Sequence, residues 1–181
     1  MISCDENECE YFGQPTNGKL LVLPKSAASN FTYDKPWACI SIGCEPGDWP
    51  KINKCQQVDL LQIAFADLDR PLNQEESTDY AESHKSHKLN PILFTPEHAQ
   101  QIWDFVEKNW DKVELLMVHC LAGASRSPAV AAAIALKKYE NDNLYFQLYC
   151  PNRLVYRTLL ETTGLSLKPH PVVKIANKEL F

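Results

Sequence analysis

Between a short apolar run, Leu115 to Val118 (LLMV), and the alanine-rich segment AVAAAIALKKY stands the stretch His119-Cys120-Leu121-Ala122-Gly123-Ala124-Ser125-Arg126-Ser127. A wholly apolar run of strand length is what a central strand of a parallel sheet needs, because helices cover both of its faces. The segment that follows is rich in alanine and closes on Lys137 and Lys138. It therefore combines high helix propensity with a C-terminus that suits the helix dipole. The small residues in between allow the chain to turn tightly from strand to helix, and Gly123 can take a positive φ there. Such a turn aims backbone N–H groups inward at a helix N-terminus and forms an anion cradle.

The rest of the chain supports the same class. Leu20 to Leu23 (LLVL), Ala38 to Ile42 (ACISI) and Leu60 to Phe65 (LLQIAF) are apolar runs of strand length, the first two bounded by Pro and Gly. Thr95 followed by Pro96 reads as an N-cap and first helical position. Ala99, Ile102, Phe105, Val106 and Trp110 then recur on one helical face. PNRLVYRTLLETTG, residues 151–164, reads as a last helix. Strands alternating with helices predict an α/β fold: a single three-layer domain with a central, mainly parallel sheet of about four or five strands flanked by helices. A length of 181 residues fits one domain spanning 1–181, with 1–19 and 165–181 as peripheral segments. The stretch from Ala66 to Pro91 is polar, holds no sustained period and reads as a long loop, with an insert at 73–93. It is either a lid facing substrate or a disordered insert. Within it, Tyr80 is noted as a candidate phosphosite.

Charge and cysteine usage narrow the class further. A net charge of −5 and a pI of about 5.5 are the wrong sign for non-specific nucleic-acid or anionic-lipid binding. No apolar run approaches the roughly 18 residues of a membrane span, and the opening MISCDENECE lacks the apolar core of a secretory signal. The expectation is a cytoplasmic monomer with neither nucleic-acid nor membrane partners, its seven cysteines reduced. Cys4/Cys9 and Cys39/Cys44 have spacings a metal could use, as do His84 and His87. Cys39 and Cys44 flank the strand-like ISIG and read as buried inert thiols, and the histidines as solvated loop residues. No metal and no cofactor are expected.

Cys120 stands at the floor of the cradle. A thiol facing a helix N-terminus, an arginine and inward amides is held as the thiolate, a nucleophile aimed at whatever anion the cradle binds. Arg126 closes the loop with a planar fork suited to two phosphate oxygens.

The stretch HCLAGASRS matches the Cys-x₅-Arg signature, in its HCxxGxxRS form. The chain thereby resembles the cysteine-dependent protein tyrosine phosphatases, and among them the small dual-specificity and atypical enzymes and their compact bacterial relatives. The resemblance covers roughly residues 36–160. It implies that Cys120 attacks phosphorus and forms a phosphocysteine. The loop Leu121, Ala122, Gly123, Ala124, Ser125 and Arg126 would hold the phosphate oxygens, with charge spread as in a loose transition state. His119 would keep the thiolate environment in place, and Ser127 would hydrogen-bond the sulfur and help it leave. The family also uses an Asp beyond an upstream strand as general acid. QIAFADLDRP offers Asp67 and Asp69; the register favours Asp67, with Asp69 second, where it could instead be a solvated carboxylate beside Arg70. Asp48-Trp49-Pro50 precedes the wrong strand and reads as a turn.

The implied substrate is a phosphorylated protein. The loop that deepens the pocket of the classical tyrosine-specific enzymes has no counterpart in the sequence, nor does their Gln-bearing loop. A shallower pocket would admit phosphoserine and phosphothreonine as well as phosphotyrosine. The signature carries no lysine at Leu121, Ala122, Ala124 or Ser125, which disfavours polyphosphoinositides and RNA 5′ ends. Two alternatives stay open: a non-protein phosphate of that kind, and a pseudophosphatase that binds phosphoproteins without hydrolysing them.

Overall fold

The computed structural model describes residues 18–83 and 91–166. Cys4, Cys9, His84 and His87 lie outside those residues, as do most of the two segments expected to be peripheral. Four strands, β1 (Leu20–Pro24), β2 (Trp37–Gly43), β3 (Gln57–Ala64) and β4 (Leu115–Cys120), form one sheet in the order β1-β4-β2-β3. Every pairing is parallel, with β4 between β1 and β2. The helices are α1 (Lys25–Asn30), α2 (Gln74–Ser83), α3 (Pro96–Asn109), α4 (Arg126–Tyr139), α5 (Asn143–Leu148) and α6 (Arg153–Thr162). A 3₁₀ turn, Trp110–Lys112, follows α3. The expected α/β class with a parallel sheet between helices is what the chain forms.

Strand alternation divides the core in two. Leu20, Val22, Ile40, Leu116, Val118 and Cys120 face the large cluster shared with α3, α4 and α6. Leu21, Leu23, Trp37, Cys39, Leu115 and Met117 face a smaller cluster on the α1 side. Helix α4 is buried from Arg126 to Leu136, which is why it is alanine-rich: alanine lets a helix lie against the sheet and α6 together. Helix α3 begins where its cap signals place it, and His98 replaces the usual Glu in a capping box with Thr95. The Trp103 indole donates to the Leu159 carbonyl at 3.0 Å and ties α3 to α6. Inside this face, the Tyr156 hydroxyl donates to the buried Asp142 carboxylate and satisfies it.

Two expectations need correction. The stretch read as a long loop contains α2. Its N-terminus is a local reciprocal cap: the Glu76 N–H donates to Asn73 Oδ1 at 2.9 Å and the Asn73 N–H to Glu76 Oε2 at 3.0 Å. Arg70 then grips both Glu76 oxygens, at 2.7 and 2.9 Å. These polar contacts build a helix without the apolar period by which helices are usually recognised. The second correction concerns Cys44. Cys39 is buried, and burial pushes its thiol far up, as an inert thiol requires. Cys44 is half-buried and borders the cavity described below.

Because all four strands run the same way, the ends of β2, β3 and β4 and the loops beyond them collect on one edge. In open parallel sheets, ligand sites lie beyond the carboxyl ends of the strands. Asp48 is indeed in a turn there: its N–H donates to the Glu45 carbonyl at 3.0 Å and its carboxylate pairs with Lys25.

Candidate active site

Beyond β4 the chain turns through residues 121–125 into α4. Gly123 has φ +69°, the conformation the loop needed. A Cβ there would sit 2.8 Å from the Pro24 backbone nitrogen and 2.9 Å from the Leu23 carbonyl carbon. The end of β1 backs the loop so closely that only glycine fits, and the Lys25 N–H donating to the Leu121 carbonyl at 3.1 Å fastens the two.

This turn places two donors on the Cys120 sulfur. The Gly123 N–H lies 3.3 Å and the Ser127 hydroxyl 3.1 Å from Sγ. Cys120 is 2% exposed and Ser127 is fully buried. Donors fixed in this way stabilise negative charge on sulfur without any rearrangement at the moment of reaction.

Arg126, the first residue of α4, is 3% exposed. Its Nη1 donates to the Phe65 carbonyl at 2.9 Å, the Gly43 carbonyl at 3.2 Å and Cys44 Sγ at 3.3 Å. The ends of β2 and β3 thus lock one corner of the guanidinium. Its Nε is buried with no hydrogen-bond partner. The nearest carboxylate oxygen, Asp67 Oδ2 at 3.8 Å, is at ion-pair but not hydrogen-bond distance, and an anion in the cavity would supply the missing hydrogen bond. That cavity has a volume of about 410 Å³, with Cys120 and Arg126 in its lining together with Asp67 and the loop residues Leu121, Ala122, Ala124 and Ser125.

Asp67 reaches the same cavity from the loop after β3. Ser125 Oγ donates to its Oδ1 at 2.7 Å and Asn152 Nδ2 at 2.8 Å, and Oδ2 lies 3.8 Å from Arg126 Nε. Both hydrogen bonds engage Oδ1, which leaves Oδ2 turned toward Arg126. Asp69 turns elsewhere: its Oδ1 accepts the Arg153 N–H at 3.1 Å, at the start of α6.

His119 shares β4 with Cys120 but, by strand alternation, points to the opposite face, beside Ser41 in the register. Its ring is fully buried, with the Cys120 backbone as its polar neighbour, partly opposing the effect of burial. Burial, with Lys25 and Arg126 adding repulsion, pushes the imidazole down to about 4. His119 is therefore neutral at pH 7, and any influence on Cys120 passes through the backbone.

Sequence reasoning missed Asn152. Its Oδ1 caps α6 by accepting the Val155 N–H at 3.0 Å, its N–H donates to the Ser125 carbonyl at 3.1 Å, and its Nδ2 holds Asp67. The available signal was its N-cap position after Pro151; nothing local tied it to Asp67. Ser125 was expected to contribute its backbone, and its hydroxyl acts on Asp67 as well.

No family model matches the sequence, and no curated protein does. Solved structures do. The human tyrosine phosphatase-like serine/threonine/tyrosine-interacting protein superposes with a TM-score of 0.59 at 18% identity, covering 86% of this chain and 97% of that one. A mouse putative dual specificity phosphatase, solved with zinc tungstate, gives 0.58 at 15% identity over 91% of this chain and 93% of that one. PTPMT1, solved in complex with PI(5)P, gives 0.53 at 12% identity over 84% and 95%. The shared architecture extends over nearly the full length of such proteins: the chain has the fold of the tyrosine and dual-specificity phosphatases.

Proposed function

We propose that this protein is a phosphoprotein phosphatase that hydrolyses phosphotyrosine, and phosphoserine and phosphothreonine besides, through a phosphocysteine on Cys120. The carrying observation is the juxtaposition of a sulfur that receives two fixed donors with a buried Arg126 whose Nε makes no hydrogen bond. Cys120 Sγ attacks phosphorus, the P–O bond to the substrate breaks, and Asp67 passes its proton to the leaving oxygen. Asp67 then takes a proton from a water that attacks the phosphocysteine. The P–S bond breaks, inorganic phosphate leaves, and the Ser127 hydroxyl stabilises the departing sulfur. Arg126 and the loop amides balance the charge on the transferred phosphoryl group.

A protein monoester is favoured over a polyphosphorylated ligand because Arg126 is the one cationic side chain among the described residues lining the cavity. A second phosphate would find no partner there.

The test is hydrolysis of para-nitrophenyl phosphate by wild type and Cys120→Ser, with vanadate as inhibitor and a chelator present. Vanadate-sensitive turnover that disappears in the variant supports the reading. Folded, reduced wild type that holds a phosphopeptide as tightly as Cys120→Ser does, without turnover, would replace the enzyme with a binding module. Faster turnover of a phosphoinositide than of phosphopeptides would replace the substrate class.

A further inference from the structure

Helix α2 has an odd role for an element of a packed domain. None of its described side chains belongs to either hydrophobic cluster. Its sequence, QEESTDYAES, is polar apart from Tyr80 and Ala81. Ser77 is buried and Tyr80, three positions on and so on the same face, is half-buried. The helix is nonetheless held firmly at its start. The Asn73–Glu76 cap and the Arg70 fork fix its first turn, and together they draw the Glu76 carboxyl down to about 2. A polar helix anchored by its first turn carries its one aromatic ring to a particular place.

That place is the cavity whose lining includes Cys120 and Arg126. Besides the loop and Asp67, the lining holds Tyr80 from α2, Leu68 from the Asp67 loop and Leu121, which is 56% exposed. These three side chains are large and apolar in body, and each comes from a different segment. The sulfur and Arg126 fix where phosphorus must sit, so the apolar lining is left to meet whatever the phosphate is attached to. A phosphotyrosine ring would be flanked by apolar atoms there, whereas the short side chain of phosphoserine or phosphothreonine would bring the peptide backbone to the cavity mouth. Aromatic contacts are worth more than their buried area alone and select a flat ring.

We propose that Tyr80 is a specificity-determining residue: with Leu68 and Leu121 it forms an aryl-binding wall that favours phosphotyrosine over phosphoserine and phosphothreonine. The proposal rests on the phosphatase reading above and deepens it. The wall's aromatic member comes from α2, so a chain without the classical pocket-deepening loop acquires depth by another route.

One peptide sequence phosphorylated on tyrosine or on threonine tests this, with kcat and KM measured for wild type, Tyr80→Ala, Tyr80→Leu and Tyr80→Phe. Tyr80→Ala should lower the tyrosine-to-threonine ratio of kcat/KM by about tenfold, the lower range for one pocket contact, through KM on the phosphotyrosine peptide. Tyr80→Leu keeps an apolar filling without the ring, so it should lower the ratio too and decides the matter if the alanine variant misfolds. Tyr80→Phe should restore the wild-type ratio. A ratio unmoved in both Tyr80→Ala and Tyr80→Leu, or equal losses on both peptides, overturns the wall while leaving the phosphatase intact. Wild type without turnover on either peptide or on para-nitrophenyl phosphate overturns the phosphatase reading and the wall with it.

Discussion

Asp67 and Asp69 are separated by one residue and differ in every contact they make. Asp67 looks into the cavity, with Oδ1 held by Ser125 and Asn152 and Oδ2 toward Arg126. Asp69 accepts a backbone N–H at the start of α6. An acid must reach the leaving oxygen before its protonation matters, which is why the proposed mechanism gives that role to Asp67. Asp67→Ala is expected to lower kcat on a phosphopeptide by about 10²–10⁴. Asp69→Ala should leave kcat within about threefold and cost roughly 1 kcal/mol of stability, the usual weight of a lost N-terminal cap. Urea melts and steady-state kinetics on both variants check this. A larger loss of kcat from Asp69→Ala than from Asp67→Ala would transfer the acid role.

At the scale of elements, the site is an assembly of strand and helix ends. The last residues of β2 and β3 present carbonyls to Arg126, β1 backs Gly123, and the N-terminus of α6 reaches Asp67 through Asn152. Asn152 does two jobs with opposite ends of one amide: Oδ1 caps α6 and Nδ2 holds Asp67, the proposed acid. A carboxylate can do the first but not the second, since Asp caps helices as well as Asn does but donates nothing when ionised. Asn152→Asp should therefore keep a melting temperature near that of wild type while kcat falls about tenfold, part of the weight of a well-placed general acid. Asn152→Ala should lose both. A kcat unchanged in Asn152→Asp would mean that the capping alone matters.

For the whole molecule, one buried imidazole, His119, and one half-buried, His98, set a pH limit. Burial lowers His119 from the usual 6.5 to about 4, and burial lowers His98 as well. His98 adds a reason of its own, since its Nδ1 accepts the Thr95 N–H at the cap of α3. A group with a depressed folded pKa binds its proton more readily in the unfolded chain. Stability is then complete above pH 6.5 and falls as the pH drops toward 4, by up to about 3 kcal/mol for a shift of the size seen at His119. Urea unfolding at several pH values between 7 and 4.5 should show this decline, with a shallower slope in His119→Asn. A stability that stays flat or rises over that interval would contradict it.

The geometry of the loop from Cys120 to Ser127 was legible because it is decided locally. Cys120, Gly123, Arg126 and Ser127 lie within one strand–turn–helix unit, and their spacing alone sets which of them can meet. The four strands were legible for a similar reason, since parallel burial demands runs of apolar residues whatever the partners are. Helix α2 was not, because reading by apolar period detects burial and α2 buries almost nothing; its polar cap between Asn73 and Glu76 was the only signal. The choice between Asp67 and Asp69, the task of Asn152 and the position of Tyr80 belong to tertiary structure. Each depends on a contact between segments far apart in the chain, such as Asn152 with Asp67 across 85 residues or Arg126 with the Gly43 carbonyl across 83. Local sequence determines what a segment can become, and only the packing of the sheet and helices determines which side chains then stand within hydrogen-bond reach.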